Sequence, residues 1–306
     1  MFCFIPQDHG RGHLYRCQVV ADILKENGFS TAFILEKSLV GETMRHPVID
    51  AIPENGTMII DTNDPGYLKR FLPMVEGLKT FWWTDLRDPE LFQDVEIIAP
   101  FAVQKKAKDL HAGLELFIVP GLNGRAKRNV THVSTIGIFF GALDETNNLF
   151  FTIYRLEQAS LLDKFEFNIL IGSQFEFKSF IDEHFEGSVP ENLHFHYSNF
   201  ESIYDFIGMN DLLIACCNNT CFEALHMGVP VVNIVQNKVQ LANADNLEKK
   251  SGFPNLGLYP DLSSVAGCFS DSFFKDIPRL SAVGKKLIDG HGATRVAQKL
   301  IQGKQS

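Results

Sequence analysis

The chain has 306 residues, 45% apolar and 21% charged, with a net charge of -9, which is room for two domains and the balance of an ordinary globular protein. The acidic balance and the lack of a polybasic run argue against bulk nucleic-acid or anionic-membrane binding, but not against a local phosphate site. The start, MFCFIPQDHG, lacks the charged and long apolar regions of a secretory leader, and no apolar run reaches the roughly 20 residues of a membrane span. The expectation is a cytoplasmic protein whose six cysteines are reduced.

FCFI at residue 2 reads as a buried strand. Leu14, Cys17, Val20, Ala21 and Leu24 then recur at helical spacing, and Gly28 stops the run. Between them lies QDHGRGH, a turn at the carboxyl end of a strand, where a helix start offers free N–H groups. Gly10 and Gly12 let the backbone bend there and approach a ligand, flanking Arg11, and His13 stands at the helix start. The turn is not a dinucleotide fingerprint, because Tyr15 occupies the third glycine position, and it is not a phosphate-loop motif. A histidine alone would serve as a helix-start hydrogen bonder; after two glycines at a sheet's edge, His13 is assigned the chemical role.

Further strands are predicted at TAFIL (31), TMII (57), TFWW (80), VEIIA (95) and LFIV (116). Asp61 and Asp64 follow the second of these as paired acids, fit for catalysis or for turn and helix capping. Trp82 and Trp83 read as strand core. PGLNGRAKRNVTH, 120–132, has no apolar periodicity and reads as a linker. The alternation then restarts with TIGIFF (135), FNILI (167), LHFH (193), LLIAC (212) and VVNIV (231). The expected architecture is α/β, with two Rossmann-like units, 1–131 and 132–306, facing each other across a ligand cleft.

In the second unit, FFGALDETNN carries Gly141 in a polar turn after a strand. IACCNNTCFEALHMGVP runs from a strand through Asn218, Asn219 and Thr220 into a short helix bearing Glu223. Thr220 and Glu223 have capping-box spacing, so one reading is a plain helix cap. The other is that amides near 218–221 hold a diphosphate while Glu223 accepts from ribose hydroxyls. No carboxylate–histidine cluster has metal-ligand spacing, so neither metal nor cofactor is expected.

Together these stretches resemble one family. GRGHLYRC resembles the G-x-G-H-x-x-R-C signature of the UDP-sugar hydrolases of the pseudaminic-acid pathway and of related spore-coat polysaccharide biosynthesis proteins. IIDTNDPGYL, FFGALDETNN, NNTCFEALHMGVP, Gln240 with NLEKKSG, and LIDGHGATRVAQKL resemble further segments of that family in the same order. The resemblance implies the GT-B fold, shared with the N-acetylglucosaminyltransferase of peptidoglycan synthesis. It also implies release of UDP from a UDP-linked sugar by water, with His13 as base. Gly10, Arg11, Gly12, Asp61, Asn63 and Gln240 would bind the sugar side, and Gly141, Gly172, Asn218, Asn219, Thr220 and Glu223 the nucleotide. The hydrolases have tyrosine where this chain has Asn63 and asparagine where it has Val239. An inverting glycosyltransferase or a non-catalytic nucleotide-sugar-binding subunit is the alternative.

Overall fold

The computed structural model describes residues 1–7, 11–35, 39, 44–86, 88–101, 107–119, 127–141, 144, 146–172, 185, 189–197 and 202–305, except the side chains of Arg11 and Gln305. Two units emerge: Met1–Leu122 with Asp289–Ser306, and Asn123–Ile288.

In the first unit, β1 (Phe2–Pro6), β2 (Thr31–Phe33), β3 (Thr57–Asp61), β4 (Lys79–Trp83), β5 (Val95–Ala99) and β6 (Leu110–Ala112) form a parallel sheet in the order β2-β1-β3-β4-β5-β6. Strand residues alternate between two cores, as the two-residue period of a strand requires. Phe2, Phe4, Ile59, Phe81 and Trp83 meet helix α1 (Arg11–Glu26), while Cys3, Ile5, Met58, Ile60 and Trp82 meet α2 (Pro65–Phe71). Leu14, Cys17, Val20, Ala21 and Leu24 form the buried stripe of α1, as their spacing predicts.

The second unit begins with β7 (Thr135–Phe139), α3 (Asn148–Gln158), β8 (Glu166–Leu170), β9 (Leu193–His196) and α4 (Ile203–Gly208). It continues with β10 (Leu212–Ala215), α5 (Asn219–Met227), β11 (Val231–Asn233), α6 (Lys238–Ser251), α7 (Leu262–Cys268) and α8 (Asp271–Leu287). Its parallel sheet runs β11-β10-β7-β8-β9. All six cysteines are free thiols, and five are buried. Among the described residues no helix is long and apolar enough to cross a membrane.

Two expectations change. The run LFIV does not extend the sheet. Leu114–Leu116 is a turn of 3-10 helix, β6 lies before it, and Leu116 and Ile118 are buried against helix α9 (Gly292–Gln305). That helix also moves the domain division. Ala293, Val296, Ala297 and Leu300 form one apolar stripe in the core of the first unit, beside Leu14 and Val20, so the chain end belongs there and not with 132–306. The second half of the expected linker is tied to the second unit instead: Arg128 donates to Gly208 O (3.1 Å), to Asp211 (2.7 Å) and to the Asn210 carbonyl.

Gly292 is where α9 meets the 114–117 turn, and a Cβ there would lie 2.0 Å from the carbonyl oxygen of Phe117. Gly292→Ala is therefore expected to cost about 1–3 kcal/mol, the usual range for overpacking. The check is the urea midpoint, and an unchanged value would contradict this close docking.

Candidate active site

In the first unit the site follows from strand register. Pro6, Asp61 and Trp83 pair in one row at the carboxyl ends of β1, β3 and β4. Odd-numbered residues of β3 and β4 face α1, so the row directs Asp61 and Trp83 toward that helix. On α1, His13, Arg16 and Cys17 stand at i, i+3 and i+4, on one face. All three converge on Asp61.

His13 Nδ1 lies 2.7 Å from Asp61 Oδ1. Arg16 forks onto the same carboxylate, donating Nε–H to Oδ2 at 2.7 Å and an Nη2–H to Oδ1. Its Nη1 donates to Asp85 Oδ1 at 2.7 Å, and its guanidinium sits 4.7 Å from the centre of the Trp83 ring. The Cys17 thiol donates to Asp61 Oδ2 at 3.4 Å.

Asp61 is fully buried. Burial alone would raise its carboxyl, but the charge of Arg16, then that of His13, and the hydrogen bonds from both hold it at about 2. For Arg16, burial opposes the charge, yet Asp61 and Asp85 outweigh it and the guanidinium is raised. An ionised carboxylate only accepts, so the Asp61 contact requires hydrogen on His13 Nδ1. Neutral His13 then keeps a bare lone pair on Nε2, the arrangement a proton acceptor needs.

In the second unit Ala215 pairs with Phe139 on one side and Asn233 on the other, so the loops after β7, β10 and β11 are neighbours. Gly141 sits there at φ +94°, a left-handed conformation that favours glycine; a Cβ would meet Asn218 Nδ2 only at 3.7 Å. Gln236 Nε2 donates to Phe140 O at 3.0 Å and to Asp144 at 3.1 Å. Asn218 caps α5, its side chain accepting from Thr220 N at 3.1 Å.

Glu223 lies in the second turn of α5, only 7% exposed. The Tyr204 hydroxyl donates to its Oε1 at 3.4 Å. Burial pushes this carboxyl up to about 7, and the Tyr204 bond offsets little of that. Because the folded protein holds the proton longer than the unfolded chain, stability should fall as pH rises from about 4.5 to 7. The slope is about 1.4 kcal/mol per pH unit, about 3 kcal/mol in all. Glu223→Gln is expected to remove that slope in urea unfolding measured across this window, and parallel pH profiles for the two proteins would refute it.

No family model matches the chain. The uncharacterized protein MJ1062 of Methanocaldococcus jannaschii is 30% identical over 127 residues, 41% of this chain. The match spans about a quarter (25%) of that relative's length. Among solved structures, MurG of Acinetobacter baumannii superposes with a TM-score of 0.67 at 14% identity, covering 98% of this chain and 99% of that one. CalG4, the calicheamicin glycosyltransferase, gives 0.66 at 13%, covering 99% and 97%. UGT71G1 of Medicago truncatula, complexed with UDP-glucose, gives 0.63 at 10%, covering 98% of each chain.

The fold is GT-B.

Within this GT-B chain the expected site residues sort as follows. His13 and Asp61 meet, but Asp61 is enclosed by His13, Arg16 and Cys17, so it holds His13 and does not face a sugar. Asn63 Oδ1 accepts from Asp85 N (2.7 Å) and the Thr84 hydroxyl (3.1 Å), and its Nδ2 lies 3.4 Å from Asp85 Oδ2. It shapes the loop after β4. Asp64 caps α2, accepting from Gly66 N. Gly12 is not in the turn but is the second residue of α1; Gly10 and the Arg11 side chain lie outside the described residues.

Gly141 lies beside Asn218, and Gly172 follows β8 in the strand next to β7. The cap of α5 is Asn218 and not Thr220, so the Thr220–Glu223 capping box does not form; Asn219 is the exposed first residue of the helix. Asn218 N donates to Cys216 O and Cys221 N to Asn218 O, so several amides expected for a diphosphate have partners inside the protein. Gln240 Oε1 accepts from Gln236 N at 2.8 Å. Arg16, Asp85 and Tyr204 were not among the expected residues. Arg16 had a signal, its i+3 spacing from His13; the other two are brought in by register and by α4.

Proposed function

We propose that the chain transfers a glycosyl group from a nucleoside-diphosphate sugar to a hydroxyl acceptor, with inversion. The carrying observation is the buried Asp61 carboxylate bound to His13 Nδ1 at the carboxyl edge of the first sheet. His13 Nε2 takes the acceptor's proton as its oxygen bonds to the anomeric carbon. The bond from that carbon to the diphosphate oxygen breaks on the opposite face, and the electron pair leaves with the nucleoside diphosphate. The positive end of the α5 helix dipole would stabilise the charge on the leaving group.

Glu223 would hold the ribose, since two hydroxyl donors suit a buried carboxylate whose one described partner is Tyr204 at 3.4 Å. Gly141 and Gly172 would border the base and phosphates, and Gln240 the sugar. CalG4 is described as a glycosyltransferase and UGT71G1 was solved with UDP-glucose, which supports a nucleotide-sugar donor, with UDP the first candidate.

The second reading is a UDP-sugar hydrolase acting on an amino or deoxy sugar, as in the pseudaminic-acid pathway. GRGHLYRC favours it, and it replaces the acceptor by water with every other group unchanged. The test is nucleoside-diphosphate release from UDP-, TDP- and GDP-hexoses, with and without a mixed panel of sugar acceptors. Release only with an acceptor supports transfer, and equal release without one supports hydrolysis. No release, and no thermal stabilisation by UDP where a hundredfold excess over Kd gives about 2.7 kcal/mol, would refute both.

A further inference from the structure

Arg16 makes more contacts in the first-unit site than any ligand role for Asp61 would need. Its fork occupies both oxygens of Asp61, its third nitrogen is fixed by Asp85, and its guanidinium carbon lies over the Trp83 ring, 4.7 Å from the centre. Asp85 is in turn held by Asn63. Arg16 Nη2 and His13 Nδ1 are 3.2 Å apart because both point at Asp61 Oδ1. Two donors sharing one oxygen do not bond each other.

A buried carboxylate beside an imidazole has two effects. It fixes the ring through the Nδ1–H bond, and it favours the imidazolium, which is useless as a base. The first effect is needed and the second is not. We infer that Arg16 is a positioning residue that separates them: its charge offsets that of Asp61, so the carboxylate orients His13 without keeping it protonated. Lysine, a single point donor, could supply the charge but not the fork. Among the described residues, the charged or titratable groups about the imidazole are Asp61 from β3, Arg16 and Cys17 from α1, and Asp85 after β4.

The inference rests on the reading of His13 as the base, but its test does not need turnover. The full chain, ligand-free and labelled with ¹⁵N-histidine, is titrated by NMR; the His13 signals among the ten histidines are those missing in His13→Asn. Wild-type neutral His13 is expected as the Nδ1–H tautomer. In Arg16→Gln the ring should stay protonated to a pH about one unit or more higher, the usual effect of unmasking an adjacent carboxylate. Arg16→Lys, which keeps the charge, should stay within about half a unit of wild type.

An Nε2–H tautomer in wild type overturns the inference, as does an Arg16→Gln midpoint equal to that of wild type. Should Arg16→Gln fail to fold, the wild-type tautomer and Arg16→Lys decide, a shift above one unit in the latter counting against it. If the NMR results hold while no nucleotide sugar is consumed, the transferase reading fails and the role of Arg16 stands.

Discussion

Replacing His13 by asparagine is expected to lower turnover about 10²–10⁴-fold, the usual worth of a positioned proton transfer. Asparagine keeps a hydrogen-bonding group of similar reach, and the remaining partners of Asp61, Arg16 and Cys17, stay in place. The fold should therefore survive and UDP affinity should change little, because the residues assigned to the nucleotide lie in the second unit. Steady-state rates and calorimetric UDP binding on the same preparation check this. Near-wild-type turnover would remove His13 from the mechanism. Equal loss of turnover and of UDP binding would make it a binding residue.

Replacing Asp61 by asparagine should damage both stability and rate. One oxygen of the carboxylate accepts from His13 and Arg16, the other from Arg16 and Cys17. An amide in either orientation sets its NH₂ against existing donors, so no rotamer satisfies the site. Breaking a buried ion pair on one side costs about 3–5 kcal/mol. With the NH₂ toward His13, Nδ1 must become the acceptor and the hydrogen moves to Nε2. The same error in Ser-His-Asp triads costs about 10⁴ in rate, and a comparable loss is expected here.

The native carboxyl at about 2, against 3.8 for an ordinary aspartate, adds a pH signature. The contribution is complete above pH 4 and is lost as pH falls toward 2, about 2.4 kcal/mol in all. Urea unfolding between pH 5 and 2 should show this acid loss in wild type and a weaker one in Asp61→Asn. Identical acid limbs would contradict the pairing of Asp61 with Arg16.

Most of the α/β alternation was legible because the central strands are short apolar runs buried on both faces. β1, β3, β4, β7 and β10 lie within a residue or two of FCFI, TMII, TFWW, TIGIFF and LLIAC. LFIV has the same composition but is buried by a helix that arrives about 170 residues later, which a local pattern does not reveal. The same long-range packing carried Gly292–Gln305 back to the first unit.

The position of His13 in the first turn of a helix after a strand was readable from the sequence, as was that of Glu223 one turn further into its helix. The partnership of His13 with Asp61 was not, because it depends on β1 and β3 being neighbours with odd residues facing α1. Asn63 and Gln240 carry polar groups in the expected loops, yet their described bonds are to Thr84, Asp85 and Gln236. A sequence marks where polar groups stand, whereas what they bond to depends on pairing across the sheet.

The most direct test measures UDP affinity, KM and kcat together for wild type, His13→Asn and Glu223→Gln, using whichever nucleotide sugar the donor panel selects. The expected result is a crossing pattern. His13→Asn loses kcat and keeps the UDP Kd, while Glu223→Gln weakens UDP and raises KM but stays within a few-fold of wild-type kcat at saturation. It should also bind UDP and 2′-deoxy-UDP with nearly equal affinity, whereas wild type prefers UDP. If both variants lose the same parameter, or wild type does not distinguish the two nucleotides, the division of labour between the imidazole of the first unit and the carboxylate of the second is wrong.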